Sequence, residues 1–246
     1  MRRFPFSRFR LPPFLLDTRH LNEASRYDLL SRTIPDFIFS EENPLIWQNE
    51  LRYPYFAAHL GEVKGKRVAD LGCGWGFLLR KFAADGACAI GLDLSAETLR
   101  LAAVKLGSNR QSVPLLKGRA EELPLVCAFD LVTATDVLEH VDDLDEVIRE
   151  ASRILKPGGK FAFVTVNRTI LARLVYITLG EIWLKLLPRG THRFDKFIPP
   201  QYLNQLLAKN GLILEDMRGI LVNPIMKRYH FWPSRAIEYI GIARKV

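Results

Sequence analysis

Between Arg67 and Val166 the chain alternates apolar blocks of two kinds. Arg67–Leu71, Ala87–Leu92, Val113–Lys117, Phe129–Ala134 and Lys160–Val166 are short apolar runs of strand length. Longer segments separate them, with apolar residues at helical spacing: Phe77–Asp85, Ala96–Leu106 and Leu144–Leu155. Ser95 precedes the second of these, where its hydroxyl can accept an orphan backbone N–H. The third stops at Lys156-Pro-Gly-Gly159, a strong breaker. Strands alternating with helices predict an α/β fold, a doubly wound and mostly parallel sheet with helices on both faces. Such sheets bind ligands at the carboxyl ends of their strands.

Two regions fall outside this rhythm. Residues 20–64 read as helices and connectors, so 1–44 form an N-terminal arm with helices and 45–246 the main domain. Residues 168–200 interrupt the alternation with an apolar helix-like stretch and Pro188-Arg-Gly-Thr-His192. The pattern resumes with a helix, Gln201–Asn210, then Gly211 and a strand from Leu212. The interruption stands where a lid would, and it predicts an inserted helical lid.

Composition narrows the class. Of 246 residues 48% are apolar and 25% charged, a globular balance. Cys73, Cys88 and Cys127 show no CxxC or Cys/His metal spacing, which fits a reducing compartment. The net charge of +8 comes from residues 167–246, with 13 basic and 5 acidic side chains. Residues 1–64 hold 9 and 8, and 65–166 hold 13 and 14. That asymmetry implies an anionic partner surface, a membrane or a nucleic acid. The basic residues are scattered and no nucleic-acid module is visible, so a membrane is favoured and no nucleic acid is expected. The longest apolar runs fall well short of the roughly 18 residues a membrane span needs.

Asp70-Leu-Gly-Cys-Gly-Trp-Gly76 leaves a strand and opens a helix. Gly72 permits a tight turn, and Gly74 lets a ligand approach bare backbone. Asp93, closing the next strand, can accept both hydroxyls of a ribose. A nicotinamide dinucleotide would use the same two features. Its fingerprint wants a third glycine where Leu79 stands, and Asp70 would repel a pyrophosphate. Asp70 suits the amino group of a methionine moiety. In Gly118-Arg-Ala-Glu-Glu-Leu-Pro124 the Ala120 N–H and the Glu121 carboxylate are placed to read an adenine edge.

In these motifs, with Asp130-Leu-Val and Val-Leu-Glu-His-Val141, the chain resembles the class I S-adenosylmethionine (AdoMet)-dependent methyltransferases over about residues 65–166. Val166-Asn-Arg168, Leu187-Pro-Arg-Gly-Thr-His192, Lys196-Phe-Ile198 and Asn223-Pro-Ile225 resemble more closely the UbiG family, the O-methyltransferases of ubiquinone biosynthesis. That resemblance spans about residues 45–230. It implies AdoMet as methyl donor and a polyprenylated catechol or demethylubiquinol as acceptor. Arg52, in Asn49-x-Leu-Arg52, is carried over as a cofactor contact, and Gly72, Asp93 and the backbone at Thr135 as lining. Asp70, Gly74, Gly76, Ala120 and Glu121 complete the expected cofactor set. Another small phenol or lipid remains the alternative acceptor. A nicotinamide oxidoreductase and a catalytically silent AdoMet-binding module are the alternative classes.

A phenol ionises near pH 10, so its methylation at neutral pH needs a base or a metal. Asp136, Glu139 and His140 follow the fourth strand at i, i+3 and i+4, one face of a helix. They are expected either as Mg²⁺ ligands, a reading the resemblance supports, or with His140 and Glu139 as catalytic groups. The plainer alternative has Asp136 capping the helix and the other two lining the pocket. His192 is a second candidate for substrate contact.

Residues 169–187 are mostly apolar, with Arg173, Tyr176, Trp183 and Lys185 at headgroup-compatible positions. They read as an interfacial helix or as a buried lid helix. The expected setting is peripheral: cytoplasmic at the inner membrane face, or the matrix face in a mitochondrion, within reach of a quinone-biosynthesis complex.

Overall fold

The structure, a computed structural model, describes residues 18–41, 43–107, 113–183, 189–223 and 225–246. Its frame is a single sheet of eight strands among the described residues: β1 (Arg67–Leu71), β2 (Cys88–Asp93), β3 (Leu115–Lys117), β4 (Phe129–Thr135), β5 (Leu155–Val166), β6 (Leu212–Asn223), β7 (Arg228–Trp232) and β8 (Glu238–Lys245). Their order is β3-β2-β1-β4-β5-β8-β6-β7. The pairs among β1 to β5 are parallel, and β8 runs antiparallel to β5 and β6. The order reverses beside β1, with β2 on one flank and β4 on the other. Loops leaving these three strands diverge there and open a crevice at their carboxyl ends.

Strand side chains alternate between two cores. Ala69, Val132, Phe161 and Phe163 join the cluster beneath α6 (Leu144–Ile154) and α8 (Pro200–Lys209). Val68, Leu131, Ala162 and Val164 join the other, beneath α3 (Pro44–Leu60), α4 (Phe77–Ala84) and α5 (Ala96–Leu106). In α6 the buried positions Val147, Ile148, Ala151 and Ile154 form one stripe. Each large apolar side chain so buried contributes about 1.5–3 kcal/mol. Ser95 caps α5 as expected, accepting the Thr98 N–H at 3.0 Å.

Two local readings change. Helix α6 stops at Ile154, ahead of Lys156-Pro-Gly-Gly159 as expected, but the strand begins at Leu155 and not at Lys160. The Pro-Gly-Gly segment lies within β5 as a register break, where Leu155 pairs with Phe129 and pairing resumes at Lys160 with Leu131. The helix expected at Asp136–His140 is absent. That segment is a turn closed by His140 N–H to Val137 C=O at 2.9 Å, with Asp136 left-handed at φ +55°. Separately from these, the three cysteines are free, Cys73 buried and Cys88 and Cys127 exposed.

The segment ahead of the core is part of its wall. Helix α1 (Glu23–Thr33) lies against α5. Ser31 and Thr98 hydroxyls meet at 3.0 Å, and Asp28 accepts the Ser95 hydroxyl at 2.6 Å and the Glu97 N–H at 3.1 Å. A short α2 (Pro35–Ile38) links α1 to α3. The lid region opens with α7 (Ile170–Arg173) and continues as π-helical turns over Leu174–Trp183. The Trp183 side chain and residues 184–188, with Lys185, Leu187 and Pro188, lie outside the described residues, as do residues 1–17 and Pro224. Ile170, Leu171, Leu174, Leu179 and Ile182 are exposed along the described part. None of the described helices is long and apolar enough to cross a membrane.

Candidate active site

The turn after β1 folds back under the end of β2. Gly72, Gly74 and Gly76 all take positive φ, +65°, +52° and +77°. A Cβ on Gly72 would stand 2.5 Å from Val137 Cγ2, so this glycine is demanded by packing as well as by the turn. A Cβ on Gly74 would meet nothing within 4 Å, because its backbone faces open space. Asp93 stitches the turn together, accepting the Gly74 N–H on Oδ2 and the Ser95 N–H on Oδ1, each at 2.9 Å. Burial raises its pKa against those amide donors.

That open space is a cavity of about 800 Å³ at the carboxyl ends of β1, β2 and β4. Of the expected cofactor residues, Arg52, Asp70, Gly72, Gly74, Asp93, Ala120, Glu121 and Thr135 line it. Gly76 does not. It is the left-handed N-cap of α4, and a Cβ there would press on Leu106 and Ala102. Glu121 accepts the Asp142 N–H and an Arg119 N–H, both at 3.0 Å, so its carboxylate is oriented by the chain itself.

Asp70 sits at the floor, 2% exposed, with the Thr133 hydroxyl donating to Oδ1 at 2.6 Å. Burial pushes its pKa up to about 7; Thr133 and the Arg52 charge oppose the shift, and the Asp93 charge adds to it. Arg52, buried on α3, donates from Nη2 to both Asp136 carboxylate oxygens at 2.6 Å. It also stands 3.5 Å from Glu238, whose carboxyl burial raises to about 8 and which takes the Tyr176 hydroxyl at 2.7 Å. Two buried polar atoms on this wall, Asn49 Oδ1 and Arg52 Nε, have no protein partner among the described residues. In a cavity wall such orphans fit the ends of an amino-acid moiety, an acceptor for its ammonium and a donor for its carboxylate.

The expected metal set does not form. Asp136, Glu139 and His140 all line the cavity, but each is directed elsewhere. Asp136 is held by Arg52. Glu139, 3% exposed, accepts the Thr165 hydroxyl at 2.7 Å, and burial raises its pKa. His140 Nδ1 stands 3.4 Å from Glu23 Oε1 on α1. The turn places the three side chains on separate partners where a helix would have aligned them. Among the described residues no group of three His, Cys, Asp or Glu is placed to hold a metal ion. As arranged here, these residues do not fit Mg²⁺.

His192 is outside the cavity wall as well. Its Nδ1 pairs with Glu181 at 3.1 Å, and its ring packs against Tyr176 and Phe197. The structure adds Glu23 and Tyr27, from α1, to the cavity wall. Tyr27 packs against Trp75 of the glycine turn with ring centroids 6.1 Å apart. No motif in residues 20–44 marks them, and only the docking of α1 on α5 brings them in.

The fold, the bare turn at Gly74 and the carboxylate at Asp93 define a class I AdoMet-dependent methyltransferase. A family profile described as a methyltransferase domain matches residues 69–163. A solved SAM-dependent methyltransferase from Thermotoga maritima, described as a possible histamine N-methyltransferase, superposes with a TM-score of 0.62. It is 20% identical and is matched over 88% of this chain and 98% of that one. Magnesium protoporphyrin IX methyltransferase from Synechocystis PCC 6803, solved with bound SAH, gives 0.59 at 16% identity, over 92% of this chain and 89% of that one. More similar in sequence are proteins named ubiquinone biosynthesis O-methyltransferase. That of Chromobacterium violaceum is 36% identical over 212 residues, 84% of this chain and 89% of its own length. That of Pseudomonas fluorescens is 38% identical over 205 residues, 82% and 87%. The chain belongs to the ubiquinone biosynthesis O-methyltransferase family.

Proposed function

We propose that this enzyme O-methylates a polyprenylated catechol or a demethylubiquinol in ubiquinone biosynthesis, with AdoMet as donor. The observation that carries the reading is the cavity at the strand ends, joined to identity of 36–38% with relatives of that name over more than four-fifths of the chain. In this reading Asp93 accepts from the ribose hydroxyls while still anchoring the Gly74 turn. Asp70 and Asn49 take the ammonium end, Arg52 the carboxylate end, and Ala120 and Glu121 the adenine edge. AdoMet supplies an electrophilic methyl on a sulfonium. The chain holds the acceptor hydroxyl near His140 and excludes water with α1 and the lid.

The acceptor carries a long apolar tail, and the exposed Ile170, Leu171 and Leu174 beside Arg168 and Arg173 form a face suited to a bilayer interface. We place the enzyme at the inner membrane face, cytoplasmic or, in a eukaryote, in the matrix, where partners of a quinone-biosynthesis complex would meet it.

The test is turnover of a short-chain prenyl catechol by the purified chain. Methyl ether formation is expected, at a rate unchanged by a chelator. Failure with every catechol, alongside turnover of another phenol or a lipid, overturns the acceptor. Loss of activity with chelator would show that Asp136, Glu139 and His140 regroup around a metal. Sedimentation with anionic vesicles should fall for the double variant Ile170→Glu/Leu174→Glu; unchanged sedimentation counts against the membrane face.

A further inference from the structure

Arg52 presents the cavity with a guanidinium that is gripped at one corner. Its Nη2 meets Asp136 at 2.6 Å and Glu238 Oε1 at 3.5 Å, while Nε has no partner among the described residues. Glu238 is buried, and it does not line the cavity. It opens β8, where Val166 of β5 and Ile220 of β6 pair with it on either side. Its other contacts come from two further elements. Tyr176 of the lid donates its hydroxyl to Oε2 at 2.7 Å, and Gln48 of α3 donates from Nε2 to Oε1 at 3.3 Å. Both carboxylate oxygens are thus occupied, which fixes their plane beside Arg52. The lid is rooted at the same place. The Asn167 N–H donates to the Ile237 carbonyl at 2.8 Å, and the Thr169 hydroxyl to the Ala236 carbonyl at 2.5 Å. Tyr176 packs edge-on against His192 and Phe197, with ring centroids 5.0 and 6.3 Å away. A line of contacts runs from the lid through Glu238 to the cofactor wall.

We infer that Glu238 is a positioning residue for the cofactor, holding Arg52 for the carboxylate end of AdoMet, and that Tyr176 ties this hold to the order of the lid. A guanidinium offers several N–H donors on a long flexible stem, and the donor that meets a ligand is set by those already taken. Asp136 and Glu238 both take Nη2, so Nε is left to the ligand. A buried guanidinium stripped of a partner is strongly disfavoured, so without Glu238 the group would turn toward Asp136 alone or toward water in the cavity. The coupling is reciprocal. Whatever fixes Arg52 from the lid side favours the bound carboxylate, and the bound carboxylate favours the ordered lid. The π-helical turns that carry Tyr176 suit such a contact, because these turns strain a helix and recur at functional sites. Tyr176 and Glu238 both lie beyond residues 69–163, the part that the methyltransferase profile matches.

The inference rests on the proposed cofactor pose, and the test keeps the two apart without using an acceptor. S-adenosylhomocysteine (SAH) carries the amino-acid moiety, and methylthioadenosine lacks it. Calorimetry on the full chain should show SAH binding at least about 10-fold tighter, the worth of a charge-assisted pair. Equal affinities in the parent chain would overturn the cofactor pose itself, and the inference with it. Glu238→Met, similar in length and without an acceptor, should weaken SAH about 5- to 20-fold and leave methylthioadenosine within about twofold. Glu238→Gln keeps an oxygen for Arg52 or Tyr176 and should recover part of that loss. Tyr176→Phe removes only a hydroxyl, so it keeps the test decisive if Glu238→Met does not fold. It should weaken SAH about 3-fold and spare methylthioadenosine. In the parent chain SAH should slow amide exchange over Leu174–Trp183 more than methylthioadenosine does, and in Tyr176→Phe that difference should vanish. Equal losses for the two ligands, tighter SAH binding in Glu238→Met, or a lid protected by SAH alike in the parent and in Tyr176→Phe overturns the inference.

Discussion

Asp93 Oδ2 accepts the Gly74 N–H at 2.9 Å, so the carboxylate expected to grip a ribose also shapes the turn that receives the rest of the nucleoside. Its two roles predict a compound effect. Asp93→Ala removes a charge-assisted hydrogen bond to the ribose and loosens the turn. Together these should weaken AdoMet binding on the order of 100-fold, about 2.7 kcal/mol. Asp93→Asn retains one acceptor oxygen and should weaken it less. Titration calorimetry reads both, and undiminished binding by Asp93→Ala would remove the foundation of the cofactor assignment.

Gly72→Ala places a methyl 2.5 Å from Val137 Cγ2 at φ +65°. Steric and backbone strain together should cost about 2–4 kcal/mol. Val137→Gly in the same chain removes both Val137 contacts, Cγ2 at 2.5 Å and Cβ at 2.8 Å, and so relieves the first cost and not the second, once the cost of Val137→Gly alone is subtracted. Denaturant unfolding should therefore show partial recovery in the pair; full recovery would mean that the backbone is unstrained.

Asp70 gives two pH slopes of opposite sign. Its pKa is raised from 3.8 to about 7, so between those values the folded chain holds a proton that the unfolded chain has released. Its contribution to unliganded stability is greatest below pH 3.8 and falls as pH rises to about 7. AdoMet binding should run the other way, tightening from about pH 6 to about pH 8 as the carboxylate becomes available to an ammonium group. Asp70→Asn should flatten both slopes. A binding curve with the same pH slope in Asp70→Asn excludes Asp70 as the ammonium partner.

The Arg52–Asp136 pair should break asymmetrically. Arg52 is 3% exposed at its side chain and Asp136 25%. Asp136→Asn strands a buried guanidinium at about 3 kcal/mol, whereas Arg52→Met leaves a carboxylate that water already reaches and should cost less. Thermal unfolding ranks the two, and the reverse order would show that Glu238 carries Arg52 by itself.

The strand–helix alternation from Arg67 to Val166 is legible in the sequence because period and punctuation are local. Ala96–Leu106 has the bounds its pattern predicts, and Arg67–Leu71 does as well. The glycine turn is legible for the same reason. Asp136–His140 is not, because i, i+3, i+4 spacing implies one face only when the backbone is helical. Here Asp136 is turned left-handed toward an arginine 84 positions earlier in the chain, a partner no local period contains.

The sequence alone determined the class I architecture, the turn at Gly72 and Gly74, and the carboxylates Asp70 and Asp93. Each depends on residues within one strand–turn–helix unit, whose geometry short-range sterics dictate. Tertiary packing decided what faces the cavity. It brought Glu23 and Tyr27 in on α1, committed Asp136 to Arg52 and Glu139 to Thr165, and removed His192 to Glu181. Those choices follow from desolvation, since a buried charge takes whichever partner the folded chain brings within reach.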